Sequence, residues 1–372
     1  MIIKNGTVLT DDFKFVKTDL KLENTCVSEF GSFCGDGFDA DGMFVLPGFI
    51  DTHVHGANNV EFASADANFD DALMYEARHG ITAIAPTTRC LPLDDIYAAF
   101  DNIVRESQKR KGGAKILGIH AEGPFVSPLK KGAMDEKYIQ KPFKDAVLKM
   151  IAHGKGLFKI LSIAPEIENA DEAIAVAAAN GIKISLAHTN ATYDETMHAI
   201  SIGASRATHL FNAMRPYNHR ESGVLGACLT DSRINCELIC DFVHNSQQTI
   251  EIVFKLKGAD NITIVSDTSI LAGLSDGIYT VDKRKRILSN GTVKLVDGTI
   301  AGSANNIYDG VKNLVSMGIP LEQISKTASL NPAKALGVDD ITGSIKVGKA
   351  ADLVCLDNQL NIKAVFIDGK SI

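Results

Sequence analysis

The chain has 372 residues, a formal net charge of −7, 45% hydrophobic and 22% charged residues, enough for two domains or for one large α/β barrel with an appendage. That composition excludes a disordered chain, and the acidic balance argues against a general nucleic-acid binder, which needs a basic stripe to meet phosphates. No uninterrupted apolar run approaches the ~20 residues of a membrane-spanning helix, and the N-terminus shows no basic segment followed by an apolar one, so no membrane span and no secretory leader are expected. Cys26, Cys34, Cys90, Cys228, Cys236, Cys240 and Cys355 are odd in number, scattered and free of any Cys-x-x-Cys pair. Reduced thiols in a cytoplasmic protein are the expectation.

Residues 1–44 read as short strands broken by Gly6, Gly31, Gly35, Gly37 and Gly42, and residues 19–23 alternate with period two. The same texture returns at 351–356 and 364–370. The two ends are therefore expected to build one small β domain, a sandwich from residues 1–46 and 339–372, around a middle domain at 47–338. In that middle, apolar runs recur at 46–55, 81–88, 116–122, 158–166, 182–188, 206–209, 236–244 and 262–267, each ending in a polar or ionisable residue. Amphipathic stretches lie between most of them. Those at 70–79, 170–179 and 192–202 close at Gly80, at Asn180-Gly181 and at Gly203, each a helix stop. Eight buried strands alternating with helices predict a (β/α)8 barrel of the TIM type. An open doubly wound sheet fits the rhythm as well, but several strands deliver His, Glu or Asp at their C-terminal ends, which is how barrel active sites are assembled. The basic cluster Lys283-Arg284-Lys285-Arg286 lies between alternating segments and reads as a solvated hairpin.

The chemistry is expected at those strand ends. His53 and His55 are two apart on a strand and project the same way, so they can chelate a divalent ion or hydrogen-bond each other. Glu122 ends the third run, and Gly123-Pro124 turns the chain away from it. His120 shares its parity but lies deeper, as a barrel histidine with its hydrogen bonds satisfied. His188 ends the fifth run and His209 the sixth. Singly, each such group is more often a packed residue or a cap. Together with Glu122 they place nitrogen and oxygen donors at one rim, the composition of a catalytic zinc-type site. Asp267, ending the eighth run, suits a general base beside a metal-activated water, and His244 can orient a substrate. His79, His153, His198 and His219 carry helix-end, loop or surface readings.

In this order, the His-x-His pair, the Glu, the two later His and the Asp resemble the amidohydrolase superfamily of metal-dependent barrel hydrolases, and more narrowly its amino-sugar-phosphate deacetylases. The resemblance runs nearly end to end. It is carried by residues 47–56 (PGFIDTHVHG), 120–125 (HAEGPF), 208–214 (THLFNAM) and 301–303 (AGS), with 329–337 and 348–353 common to the wider group. It implies hydrolysis of the acetamide of N-acetylglucosamine 6-phosphate to glucosamine 6-phosphate and acetate. The alternatives are the N-acetylgalactosamine isomer or another amide, and, more distantly, a non-catalytic sugar-phosphate-binding barrel. It further implies one or two divalent ions per subunit, zinc foremost, with Fe, Co or Mn also suited. Glu122, His188 and His209 would hold the principal ion, His53 and His55 would complete a second site, and Asp267 would be the general base and then acid. Asn212 and Ala213 would contact the sugar phosphate, and Arg220 would reach the neighbouring subunit's phosphate in a homodimer. Ala133, Met134, Asp241, Phe242, Val243 and His244 would border the sugar, and Ile300, Ala301, Gly302 and Ser303 its far wall. Met134 stands where some relatives carry a histidine and Phe242 where they carry glycine, so the sugar pocket is where this chain departs. The lysine that bridges two metals elsewhere in the superfamily has no counterpart at the mouth, since Lys159 opens its strand, which leaves Glu122 as the bridging candidate.

Overall fold

The computed structural model of the chain describes residues 1–109 and 112–372. Eight parallel strands form its centre: Phe49–Val54, Ile81–Thr88, Ile119–Glu122, Phe158–Ile163, Lys183–Leu186, Ala204–Ala207, Asn235–Ile239 and Ile262–Val265, each paired with the next. The ring closes just beyond the ends of the first and eighth strands. There Val54 bridges Thr268, the Asp267 N–H donates to the His53 carbonyl at 3.0 Å, and the His55 N–H donates to the Thr268 carbonyl at 2.8 Å. A helix follows each strand, in order Asp70–Arg78, Leu93–Ser107, Lys144–Gly154, Ala170–Ala179, Tyr193–Ser201, Gly223–Thr230, Gln247–Lys257 and Ile307–Ser316. The expected (β/α)8 barrel is present.

Local sequence explains most of these elements. Strand Ile81–Thr88 is buried at every position, as a strand covered by helix on one face and barrel interior on the other must be. Helix Leu93–Ser107 turns Ile96, Phe100 and Ile103 inward, keeps Asp94, Asp95 and Asp101 in solvent, and places two of those acids where the helix dipole favours negative charge. Helix Tyr193–Ser201 starts in a capping box between Thr192 and Glu195. Phe49, Phe62, Phe69 and Phe100 are fully buried between strands and helices, each contributing about 1.5–3 kcal/mol by transfer from water.

Both termini join one sheet, in the order Lys370–Ser371, Ile362–Ile367, Leu353–Leu356, Phe44–Pro47, Ile2–Leu9, Phe15–Glu23 and Cys26–Gly31, with Phe38–Asp39 beside Ile2–Leu9. It has its own apolar core, including Ile3, Val8, Leu20, Val45, Leu353 and Phe366. The apolar run at 46–55 is therefore not one strand. Phe44–Pro47 belongs to the terminal sheet, Phe49–Val54 to the barrel, and Gly48 is the crossing point. Gly48 donates its N–H to the Asp352 carbonyl at 2.9 Å, and a Cβ there would lie 2.2 Å from the Thr82 side chain. Gly48→Ala must push buried Thr82 off its rotamer or move the strand, so unfolding in urea should show a loss of about 1–3 kcal/mol. An unchanged midpoint would show that this crossing is slack. The run expected at 116–122 is likewise divided, because Lys115–Ile116 pairs only with the second barrel strand and the third begins at Ile119.

Between the eighth strand and its helix the chain inserts a four-stranded antiparallel sheet, Gly277–Val281, Arg284–Ser289, Thr292–Leu295 and Ile300–Ser303. The hairpin expected around residues 283–286 is there, but its basic residues are not simply solvated. Arg284 and Arg286 share one face of their strand, and that face lines a cavity at the barrel mouth; only 12% of the Arg286 side chain is exposed. Among the described residues, no helix is long and apolar enough to cross a membrane.

Candidate metal centre and active site

The strand-end residues singled out above converge at the C-terminal mouth of the barrel. Glu122 is the hub. Its Oε1 lies 3.0 Å from His209 Nε2, 3.2 Å from His188 Nε2 and 3.5 Å from His53 Nε2, and its Oε2 lies 3.3 Å from His55 Nε2. His188 Nε2 and His209 Nε2 are 3.2 Å apart. Asp267 Oδ1 lies 3.2 Å from His55 Nε2 and 3.6 Å from His53 Nε2. Two compact donor sets result, Glu122 with His188 and His209, and Glu122 with His53 and His55, sharing the one carboxylate.

For His53, His55 and His188 the other ring nitrogen explains why Nε2 can act as a ligand, whereas His209 Nδ1 is buried without a hydrogen-bond partner. His55 Nδ1 is 3.2 Å from the Thr87 carbonyl, His188 Nδ1 is 3.0 Å from the Lys130 carbonyl, and His53 Nδ1 is 3.2 Å from Glu237 Oε2. A carbonyl can only accept, so it holds the ring proton on Nδ1 and leaves the Nε2 lone pair free; Glu237 does the same by charge. His53 Nε2 is buried with no hydrogen-bond partner. Ligands at about 2.0–2.1 Å from one ion in a tetrahedron lie about 3.3 Å apart, which is the spacing of these donors. The residues present fit a divalent cation. His120 does not join them, since Nδ1 is 2.9 Å from the Thr52 carbonyl and Nε2 is 2.7 Å from Ser162 Oγ. Burial, and then the nearby charge of His53, push its pKa down to about 3.

Electrostatics pull the cluster tight. Burial opposes charge on His53 and His55, but the carboxylates outweigh it, raising His55 to about 9 and His53 well above the ordinary imidazole value, so a cation must displace the Nε2 proton of these two rings to bind there. Reciprocally, burial would raise the two carboxyls. The charge of His53 and the hydrogen bonds from the neighbouring imidazoles instead hold Glu122 far below the usual range and Asp267 at about 2. Asp267 is thus a carboxylate at neutral pH, able to accept a proton. The backbone that presents these groups is strained: His188, His209 and Asp267 sit at φ of 40°, 32° and 50°, in the left-handed region that non-glycine residues avoid. Gly132 is also left-handed, and a Cβ there would come within 3.2 Å of the His188 ring, so glycine lets this loop close over the imidazole.

A cavity of about 550 Å³ opens over the cluster, within the usual size of a small-molecule site. Its wall includes Ala133, Met134, Asn212, Ala213, His244, Ile300, Ala301 and Gly302. Ser303 lies behind the wall, its N–H donating to the Asp267 carbonyl at 2.8 Å. Asp241 acts through His244: its carboxylate lies 2.7 Å from His244 Nδ1 and accepts the Val243 and His244 N–H groups. Phe242 is left-handed in that turn and Val243 is exposed; neither lines the cavity. Arg220 is exposed on the loop after the sixth strand, outside this cavity. Sequence reasoning passed over Glu237, whose Oε1 is held by Arg206 Nη2 at 3.0 Å while Oε2 meets His53. The available signal was a carboxylate inside an otherwise apolar buried strand, with an arginine inside the strand before it.

Comparison with known proteins agrees with this geometry. The sequence signature of the amidohydrolase family matches residues 44–372. The chain is 33% identical to the N-acetylgalactosamine-6-phosphate deacetylase of Escherichia coli O157:H7, over 89% of this chain and 88% of that protein. It is 33% identical to the N-acetylglucosamine-6-phosphate deacetylase of Bacillus subtilis (strain 168), over 97% of this chain and 91% of that protein. Its fold superposes with a TM-score of 0.92 on a mutant N-acetyl-D-glucosamine-6-phosphate deacetylase from Mycobacterium smegmatis in complex with N-acetyl-D-glucosamine-6-phosphate, at 30% identity and covering 100% of this chain and 98% of that one.

Proposed function

The chain belongs to the amidohydrolase family, and within it we propose an N-acetylglucosamine-6-phosphate deacetylase, which hydrolyses the acetamide to glucosamine 6-phosphate and acetate. The observation that carries this reading is the joining of Glu122, four imidazole Nε2 atoms and the ionised Asp267 in one cluster, which opens through Glu122, His55, His188, His209 and Asp267 into a cavity that Asn212, Ala213 and His244 also line. Glu122, His188 and His209 would hold a divalent ion, with His53 and His55 as a second set sharing Glu122. Zinc suits this nitrogen and oxygen donor set best, and Fe, Co or Mn also accept it. Such an ion supplies Lewis acidity, polarising the amide carbonyl and making a water molecule more acidic.

The rest is done by the chain's own groups. Asp267 accepts the proton of the attacking water and returns it to the sugar nitrogen as the C–N bond breaks, so amide and water become amine and acetate. His244 is pinned through Nδ1 by Asp241, which leaves Nε2 to orient the sugar. Burial alone would lower its pKa, but the Asp241 carboxylate outweighs this and raises it, favouring a donor that can meet a sugar or phosphate oxygen. The backbone at Asn212 and Ala213 would receive the phosphate. Arg220, outside its own cavity, would complete a neighbour's in a homodimer, where a guanidinium fork can meet several phosphate oxygens. The scattered odd set of cysteines supports a cytoplasmic setting.

A second reading, the galacto epimer as substrate, is favoured by the Escherichia coli relative of equal identity. One assay separates them: amine release from the two hexosamine 6-phosphates, with metal analysis of the same preparation. Activity that a chelator removes and a divalent ion restores, with the gluco sugar preferred, is expected. Preference for the galacto sugar would transfer the reading to that epimer. Bound metal with neither sugar turned over would overturn both.

A further inference from the structure

The cavity has a second charged region, away from the imidazole cluster. The inserted sheet contributes Lys283 at its first turn and Arg284 and Arg286 on one face of the next strand, and Arg89 joins them from just past the second barrel strand. Four cations thus share this wall with the carboxylates Glu61 and Asp282, and Asp135 of the same cavity lies within electrostatic reach of Arg284. Glu61 and Asp282 both serve Arg89, whose Nε pairs with Glu61 and whose Nη2 is 2.8 Å from Asp282. Arg284 donates to a neutral acceptor, the Ala133 carbonyl, at 2.6 Å. Arg286 is left over. Its Nε is buried without a partner, and its nearest carboxylate, Asp282, is 3.8 Å away.

Anchoring the inserted sheet does not account for Arg286, because the Arg89–Asp282 and Arg284–Ala133 contacts already tie that sheet to the barrel. Packing does not account for it either, since an apolar side chain would fill the volume without the cost of a poorly paired buried charge. Burial, together with the like charges of Arg89 and Arg284, disfavours the Arg286 cation. An oxyanion placed among these groups would relieve that imbalance and match the planar fork of a guanidinium.

We propose that Arg286, with Arg284 and Lys283, forms an anion subsite of the active-site cavity that receives a phosphate or carboxylate group of the substrate. This subsite is separate from the Asn212, Ala213 and Arg220 set, and only the choice of sugar rests on the deacetylase reading. Its occupant is a second anionic substituent on the sugar, because the 6-phosphate is placed at the Asn212, Ala213 and Arg220 set.

The test is calorimetric binding in an Asp267→Asn background, which slows turnover by at least about 10²-fold, with and without Arg286→Met. The probes are N-acetylglucosamine, its 6-phosphate, and 6-phosphates carrying a further phosphate on O1 or a lactyl carboxylate on O3. For at least one anionic sugar, the loss caused by Arg286→Met should exceed the loss for the uncharged sugar by about tenfold or more, as for a hydrogen-bonded charge. Arg286→Lys should recover part of it, and it supplies the same comparison should the methionine variant fail to fold. A loss confined to the doubly anionic sugars is expected, and a loss already present with the 6-phosphate would overturn the separation of this subsite from the Asn212, Ala213 and Arg220 set. Equal losses for every sugar, or none, would overturn the subsite. Amine release by the unmutated protein is measured separately: its absence alongside anion-selective binding would sink the deacetylase reading and leave the subsite standing.

Discussion

Asp267→Asn should lower amine release at least about 10²-fold, the low end for a positioned general acid–base, while leaving metal content at the level of the unmutated protein. The substitution keeps the side-chain shape and the backbone that presents it. That backbone is fixed from both sides, with the Asp267 N–H on the His53 carbonyl at 3.0 Å and the Ser303 N–H on the Asp267 carbonyl at 2.8 Å. What changes is the capacity to accept a proton. In the native protein burial would raise this carboxyl, but His53 and His55 hold it at about 2, so it is ionised throughout the neutral range. An amide in its place has no basic lone pair to offer the attacking water and no proton to pass to the leaving nitrogen. Adding metal should not restore the lost activity. Near-normal turnover would remove Asp267 from the reaction, and loss of metal would make it a ligand instead.

Glu122→Gln should have the opposite signature, with metal lost first and activity following it. Glu122 is the one carboxylate that meets His53, His55, His188 and His209 together, at 3.0–3.5 Å. Glutamine preserves its volume but removes the negative charge and turns one oxygen into an N–H donor facing lone pairs. Partners one layer out from a metal typically cost about 10–100-fold in affinity when changed. A shared ligand should exceed that, so the purified variant is expected to hold less than about a tenth of the native metal. Excess divalent ion should rescue part of its turnover, which separates it from the Asp267 variant. Full metal content by elemental analysis would contradict Glu122 as the shared ligand and leave His53, His55, His188 and His209 to hold the ion.

Much of this architecture was legible from the chain because its signals are local. A buried strand announces itself as an apolar run, a helix stop as a glycine, and a residue two positions from another on a strand as its neighbour on the same face. Those rules were enough to place the eight strands and the strand-end residues His53, His55, Glu122, His188, His209 and Asp267. They failed where two local patterns abut. The run at 46–55 looks continuous because both sheets need apolar residues there, and only the close approach of Gly48 to Thr82 reveals the crossing. They also failed for the hairpin, because alternating segments on either side of a basic cluster identify a hairpin but not what its side chains look onto.

The sequence by itself determined the barrel and the set of ionisable groups at its mouth, because strand periodicity and strand ends are properties of neighbouring residues. Only the tertiary structure decided how those groups are wired. Glu237 holds His53 across 184 positions of chain, and Ser266 reaches Asp51 across 215, contacts created by closing the ring and invisible to any local pattern. The strained backbone at His188, His209 and Asp267 likewise has no glycine to signal it. It persists because the closed barrel and its hydrogen bonds over-determine conformations that cost about 1–3 kcal/mol each. Closure also turned a basic stretch that reads as solvated into the charged wall of the cavity, since burial and pairing belong to the assembled fold and not to the segment.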